Sequence, residues 1–170
     1  MCRTLNKILA VLLVAIHGGA LLASEERFSG FSTDDTLTIR SENARMDEEP
    51  DIVHFAGGFE LRAADWYLSS DKATLYGKLD DPETVVLSGT PAVILLNALY
   101  EGEPTSINGE AEQITYQRNT NSIRLEGNAT ISRDQHTMRG NVVEYSIEDD
   151  HISAGGSEGI HITVLPDNWN

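Results

Sequence analysis

One cysteine, Cys2, stands in 170 residues, and it precedes the first apolar run. A lone thiol builds neither a disulfide framework nor a cysteine metal cluster, and a lipoprotein cysteine would follow the apolar run rather than lead it. Basic residues are scarce, with 12 Lys and Arg against 27 Asp and Glu, for a formal charge of −15. No basic stripe offsets that field, so a phosphate backbone is repelled and nucleic acid is excluded as a partner. Prolines number five and apolar residues make up 40%, which rules out wholesale disorder. Aromatic residues are only 6%, so any core is mainly aliphatic. Catalytic signatures are weak. The chain has no phosphate-binding glycine loop, and His54, His136, His151 and His161 stand singly. Asp149-Asp150-His151 reads more cheaply as a polar hairpin turn than as a cation site, and Asp71, Asp80, Asp81 and Glu83 do not follow a calcium-loop spacing. A pair of carboxylates at glycosidase separation stays open, because acids are plentiful. We assign no catalytic residue, no metal ligand and no cofactor.

The one uninterrupted apolar run, residues 8–16, follows Arg3 and Lys7 and precedes Ala20-Leu21-Leu22-Ala23-Ser24. A positive start, a short apolar stretch and small residues at its end make residues 1–23 a cleaved signal peptide. His17-Gly18-Gly19 keeps the run below bilayer-spanning length. Removing Arg3 and Lys7 takes the charge to about −17. Residues 24–36 are polar apart from isolated points such as Phe28 and Phe31, and are expected to be a flexible lead-in.

From Leu37 onward the chain alternates apolar and polar residues at period two, the mark of half-buried antiparallel strands. Residues 109–140 carry the pattern most plainly. Ile114 and Tyr116, Ile123 and Leu125, and Ala129 and Ile131 define three short strands, separated by Asn119-Thr120-Asn121 and by a kink or bulge at Gly127-Asn128. The shape of residues 125–131 returns in residues 55–61 and 87–94, and between these glycine kinks lie similar returns at 70–76, 109–116 and 140–146. The spacing is uneven, which favours a stack or roll of hairpins over a rigid solenoid. Residues 41–51 and 77–83 read as charged connections, and Glu101-Gly102-Glu103-Pro104 as a turn. No segment after the signal peptide has a helical period. The fold class is all-β, with many short antiparallel strands. Phe59, Leu61, Ile114 and Leu125 point inward by alternation alone, either as plain core or as the lining of a partly open roll that takes a long apolar ligand. Acyl chains suit such a lining, since each buried methylene is worth about 0.8 kcal/mol without directional bonding.

Leu37-Thr38-Ile39, residues 52–61, Ser88-Gly89-Thr90-Pro91-Ala92, residues 109–116, Leu125-Glu126-Gly127-Asn128-Ala129 and residues 160–166 together resemble the OstA-like family of lipopolysaccharide transport. The most specific pieces are L-x-G-N-A-x-I followed by R-G-N-V-V-E-Y, and the terminal I-H-I-T-V-L-P. The resemblance implies a single β-jellyroll over residues 37–166, slightly V-shaped and open along one side, with a short tail at 167–170. It implies a periplasmic carrier that shields lipid A acyl chains and bridges the inner and outer membranes. The implied partners are lipopolysaccharide, an LptC-like inner-membrane subunit, an LptD-like outer-membrane subunit and further copies joined head to tail. By position the resemblance implies lipid contact for Leu37 and Ile39 and inward roles for Ile94 and Tyr116. Three alternatives remain open here: an LptC-like membrane-anchored subunit, a secreted β-roll enzyme acting on polysaccharide, and a surface protein polymerising through strand edges. A carrier driven by an ATPase elsewhere needs no catalytic residue of its own.

Overall fold

The computed structural model describes residues 36–47, 51–100, 103–134, 136–156 and 159–164; the expected signal peptide, most of the lead-in and the tail lie outside them. Ten strands carry the alternation: β1 (Thr38–Arg40), β2 (Asn43–Met46), β3 (Ile52–Arg62), β4 (Trp66–Lys78), β5 (Asp81–Tyr100), β6 (Glu103–Gln117), β7 (Ser122–Arg133), β8 (His136–Ser146), β9 (His151–Gly155) and β10 (His161–Val164). They form one antiparallel sheet in the order β1-β3-β4-β5-β6-β7-β8-β10, with β2 beside β3 and β9 beside β8. The sheet does not close on itself. Its first side ends in β1 and β2, its other side in β9 and β10.

The central strands are longer than the sequence pattern implies. β3 to β8 run from 11 to 20 residues, beyond the usual strand length of about 3–10. The glycine-kinked residues 55–61 lie within one strand, and the segments on either side of Gly127 are both β7. The 77–83 connection shrinks to Leu79 and Asp80. Glu103 and Pro104 open β6 instead of forming a turn. Residues 43–46, inside the charged stretch at 41–51, form β2. These corrections share one cause. A charged or glycine-bearing stretch breaks a sequence pattern, but it stays in a strand when a neighbour supplies hydrogen bonds along it.

The glycine kinks are bulges, and they line up. Register shifts fall between Ala56 and Phe59 on β3, between Ser88 and Ala92 on β5, and between Glu126 and Ala129 on β7. The neighbouring even strands pass the same line at Asp71, Glu112 and Asn141 with fewer residues. Gly57 and Gly58 have φ of 83° and 72°, Gly127 and Asn128 of 79° and 50°, a region that glycine and asparagine enter most readily. A bulge bends its strand and raises the local twist. Because the bulges adjoin across the sheet, the bends add to a spine that divides each long strand between two arms. The first arm holds β1, residues 59–62, 66–70, 92–100, 103–111, 129–134 and 136–140, and β10. The second holds β2, residues 52–56, 72–88, 113–126 and 142–146, and β9.

The arms pack face to face. Phe55 of the second arm meets Phe59 of the first, ring centroids 5.2 Å apart. Trp66 of the first arm meets Tyr116 of the second edge-on at 5.1 Å. Between these contacts lies a continuous core that includes Leu61, Leu68, Leu87, Ile94, Ile107, Ile114, Leu125 and Val143.

Candidate functional site between the two arms

Strand register turns the alternating residues into rows. In the first arm one row runs Ile39, Leu61, Leu68, Ile94, Gly109, Ile131, Met138, Ile162, each the direct partner of the next, and it crosses eight strands, β1, β3 to β8 and β10. In the second arm a matching row runs Ala44, Phe55, Ala73, Leu87, Ile114, Leu125, Val143, Ala154, from β2 to β9. A further row of that arm carries Met46, Val53, Leu75, Val85, Tyr116, Ile123, Tyr145 and Ile152. The rows are almost wholly aliphatic, as the low aromatic content requires.

Every residue singled out from sequence lies on this interior. Phe59, Leu61, Ile94, Ile114, Tyr116 and Leu125 are buried, and Leu37 and Ile39 pack half-buried against them at the β1 edge. Ile94 and Leu125 converge over Gly109, where an added Cβ would lie 2.7 Å from Ile94 Cγ2 and 2.9 Å from Leu125 Cδ2. Glycine at 109 is what lets the arms approach at that point. Leu125 pairs with Ile114 on β6 and Val143 on β8, and Tyr116 lies between Val85 and Ile123. Sequence reading passed over Trp66, Leu68 and Ile107, which belong to the same interior. Period-two counting from Trp66 would have found the first two.

The rows do not end under cover. At the outer strands Met46 is 67% exposed, Ile162 60% and Val164 59%. These side chains continue the interior but have no second arm over them. Lone exposed apolar residues are ordinary, but these end buried stripes at the outer strands of the described sheet.

Polar groups keep to the outside and to one end. Arg124 pairs with Glu144 and with Glu126, and Arg118 with Asp81, across the outer face. His54 bridges Asp47 at 3.2 Å and Thr74 at 3.1 Å beside the β2–β3 connection. Asp149 and Asp150 occupy the hairpin between β8 and β9, as their sequence implies. There the Tyr145 hydroxyl donates to Asp150 Oδ1 at 3.0 Å, and Arg133 pairs with Asp150. Burial, with Asp150 alongside, pushes the Tyr145 phenol well above its usual pKa. Among the described residues no group of three His, Cys, Asp or Glu is placed to hold a metal ion. No helix of the described residues is long and apolar enough to cross a membrane.

An interior of this kind offers apolar contact, with few donors or acceptors, so it selects for hydrophobicity. Known proteins share the arrangement. The chain is 23% identical over 164 residues, 95% of its length and 84% of the relative's, to the lipopolysaccharide export system protein LptA of Escherichia coli K12. LptA of Shigella flexneri matches to the same extent. The crystal structure of LptH, the LptA-homologous periplasmic component of the lipopolysaccharide transport device of Pseudomonas aeruginosa, superposes with a TM-score of 0.70 at 16% identity, covering 81% of this chain and all of that one. That likeness bears on the fold, an antiparallel sheet rolled over without closing into a barrel. Residues 38–151 match the model of the family described as LptA/(LptD N-terminal domain) LPS transport protein, and the chain belongs to that family.

Proposed function

We propose that this chain is a periplasmic carrier that holds the acyl chains of lipopolysaccharide between its two arms and forms part of a bridge from the inner to the outer membrane. The observation that carries the reading is the first-arm row from Ile39 to Ile162, apolar apart from Gly109 and running unbroken from edge to edge. Residues 1–23 would direct export and be removed. The interior is filled by its own side chains, so lipid entry requires the arms to part about the spine. About a dozen buried methylenes are worth roughly 10 kcal/mol, enough to offset much of the packing given up. A ligand held so strongly does not leave through water. It must pass to another interior of similar affinity.

Edge pairing supplies that second interior. The unpaired groups of β1 and β2 on one copy meet those of β9 and β10 on the next, which extends the sheet and continues the rows. Terminal copies would pair in the same way with an LptC-like subunit at the inner membrane and an LptD-like subunit at the outer. No chemical step is assigned to the chain.

Photo-crosslinking in living cells tests the lipid contact. A reactive amino acid at Ile94 or Tyr116, both buried inside, is expected to capture lipopolysaccharide, and one at Gln117, exposed on the outer face, is not. Equal capture at all three positions would mean surface stickiness. Capture at none would leave the interior as a plain core.

A further inference from the structure

Inward parity on β7 passes from Ile131 to Arg133, at the far end of the first arm. Arg133 reaches across the interior to Asp150, in the turn that ends the second arm between β8 and β9. The second carboxylate oxygen of Asp150 accepts the Tyr145 hydroxyl at 3.0 Å, and Tyr145 is part of the second arm's inner row. Arg133 also lies 3.7 Å from Asp134 in its own turn. The Arg133 and Asp150 side chains are 23% and 12% exposed, less than those of the outer-face pairs. The pairs Arg118–Asp81, Arg124–Glu144 and Arg62–Glu60 each join residues of one arm. Arg133–Asp150 joins two.

Its position matters because apolar side chains on this side of the sheet are exposed. On this side the second arm ends with the five-residue β9, while β10 of the first arm leaves Ile162 and Val164 uncovered. A charge-assisted hydrogen bond is directional and is lost within a short displacement, unlike apolar contact, which fades gradually.

We propose that Arg133 and Asp150, backed by Tyr145, latch the two arms together at the β9/β10 side, so that the interior opens there to an apolar chain only when the pair separates. The nature of the physiological occupant rests on the carrier reading; the latch itself is a property of the two arms.

The test uses the lipid-free chain and N-phenyl-1-naphthylamine, a neutral dye that fluoresces on entering an apolar site. Arg133→Gln and Asp150→Asn remove the charge pair with little change in shape, and asparagine tolerates the φ of 50° at position 150. Each is expected to raise dye uptake about fivefold, the shift in an open population that follows from losing one such pair. The double variant should match the single ones, because both remove the same contact. Arg133→Lys, which keeps the charge, should stay near wild type. Tyr145→Phe, which deletes only the supporting hydroxyl, gives a smaller rise and serves if a charge variant fails to fold by circular dichroism. Wild-type uptake in the folded single variants, additive effects in the double, or an unchanged Tyr145→Phe would overturn the latch. Lipopolysaccharide binding, measured on the same proteins, separates the two ideas. Dye uptake that answers to the latch with no lipopolysaccharide bound by any of them overturns the carrier reading alone. Bound lipopolysaccharide with unresponsive dye overturns the latch alone.

Discussion

Gly109 occupies a point where two arms of one sheet compete for the same space. Its missing side chain is filled by Ile94 from the neighbouring strand and by Leu125 from the opposite arm. Gly109→Ala would place a methyl group inside the contact distance of both, and overpacking of this sort costs about 1–3 kcal/mol. Chemical denaturation should show a lower midpoint at unchanged slope. An unaltered midpoint would mean that Leu125 does not rest on Gly109 in solution. The inward orientation of Leu125 was legible from alternation, because parity along a strand is local, and that of Ile94 and Tyr116 was implied by the family resemblance. The meeting of Ile94 with Leu125 was not. They lie on different strands and different arms, and their contact depends on where the sheet bends.

At the scale of elements, the repeated sequence shapes have a physical reading that alternation alone did not supply. Residues 55–61, 87–94 and 125–131 resemble one another because β3, β5 and β7 each cross the same spine, and residues 70–76, 109–116 and 140–146 are the plainer crossings of β4, β6 and β8. A glycine pair looks the same in sequence whether it ends a strand or bulges within it. Hydrogen bonding by the neighbours decides between these outcomes, and here the strands continue. β10 shows the complementary case. Ile162 sits in an alternating strand that sequence alone would bury on one face, yet it is exposed because no second arm reaches it. Ile162→Lys should therefore leave stability within about 0.5 kcal/mol while placing a charge on a joining edge, a substitution that blocks strand addition. Sedimentation analysis is expected to show the variant as monomer at concentrations where the parent associates. Equal association of the two would remove β10 from the proposed joint.

For the molecule as a whole, charge is the dominant long-range term. Copies that each carry −15, or about −17 without Arg3 and Lys7, repel before their edges can pair. Added salt shortens the reach of that repulsion, to about 8 Å at physiological ionic strength, while apolar contact at Met46, Ile162 and Val164 is not weakened by it. End-to-end association should strengthen as salt is raised from about 10 mM to physiological strength, the reverse of a joint held by opposite charges. Light scattering across a salt series distinguishes these; association that falls with salt would mean that ion pairs, and not apolar rows, make the joint. The same acidity argues that anionic lipid is held by its chains, with phosphates left outside.

The sequence by itself determined the all-β class, the inward sense of the alternating residues it singled out, the aliphatic character of the interior and the family resemblance, because all of these are carried by period-two alternation, composition and short motifs. Only the tertiary structure decided that the kinks adjoin across the sheet as one spine, that the apolar rows run from edge to edge, and that Arg133 meets Asp150 from the opposite arm. Each of these depends on the register of several strands at once, and register is set by hydrogen bonds between segments that no local pattern contains.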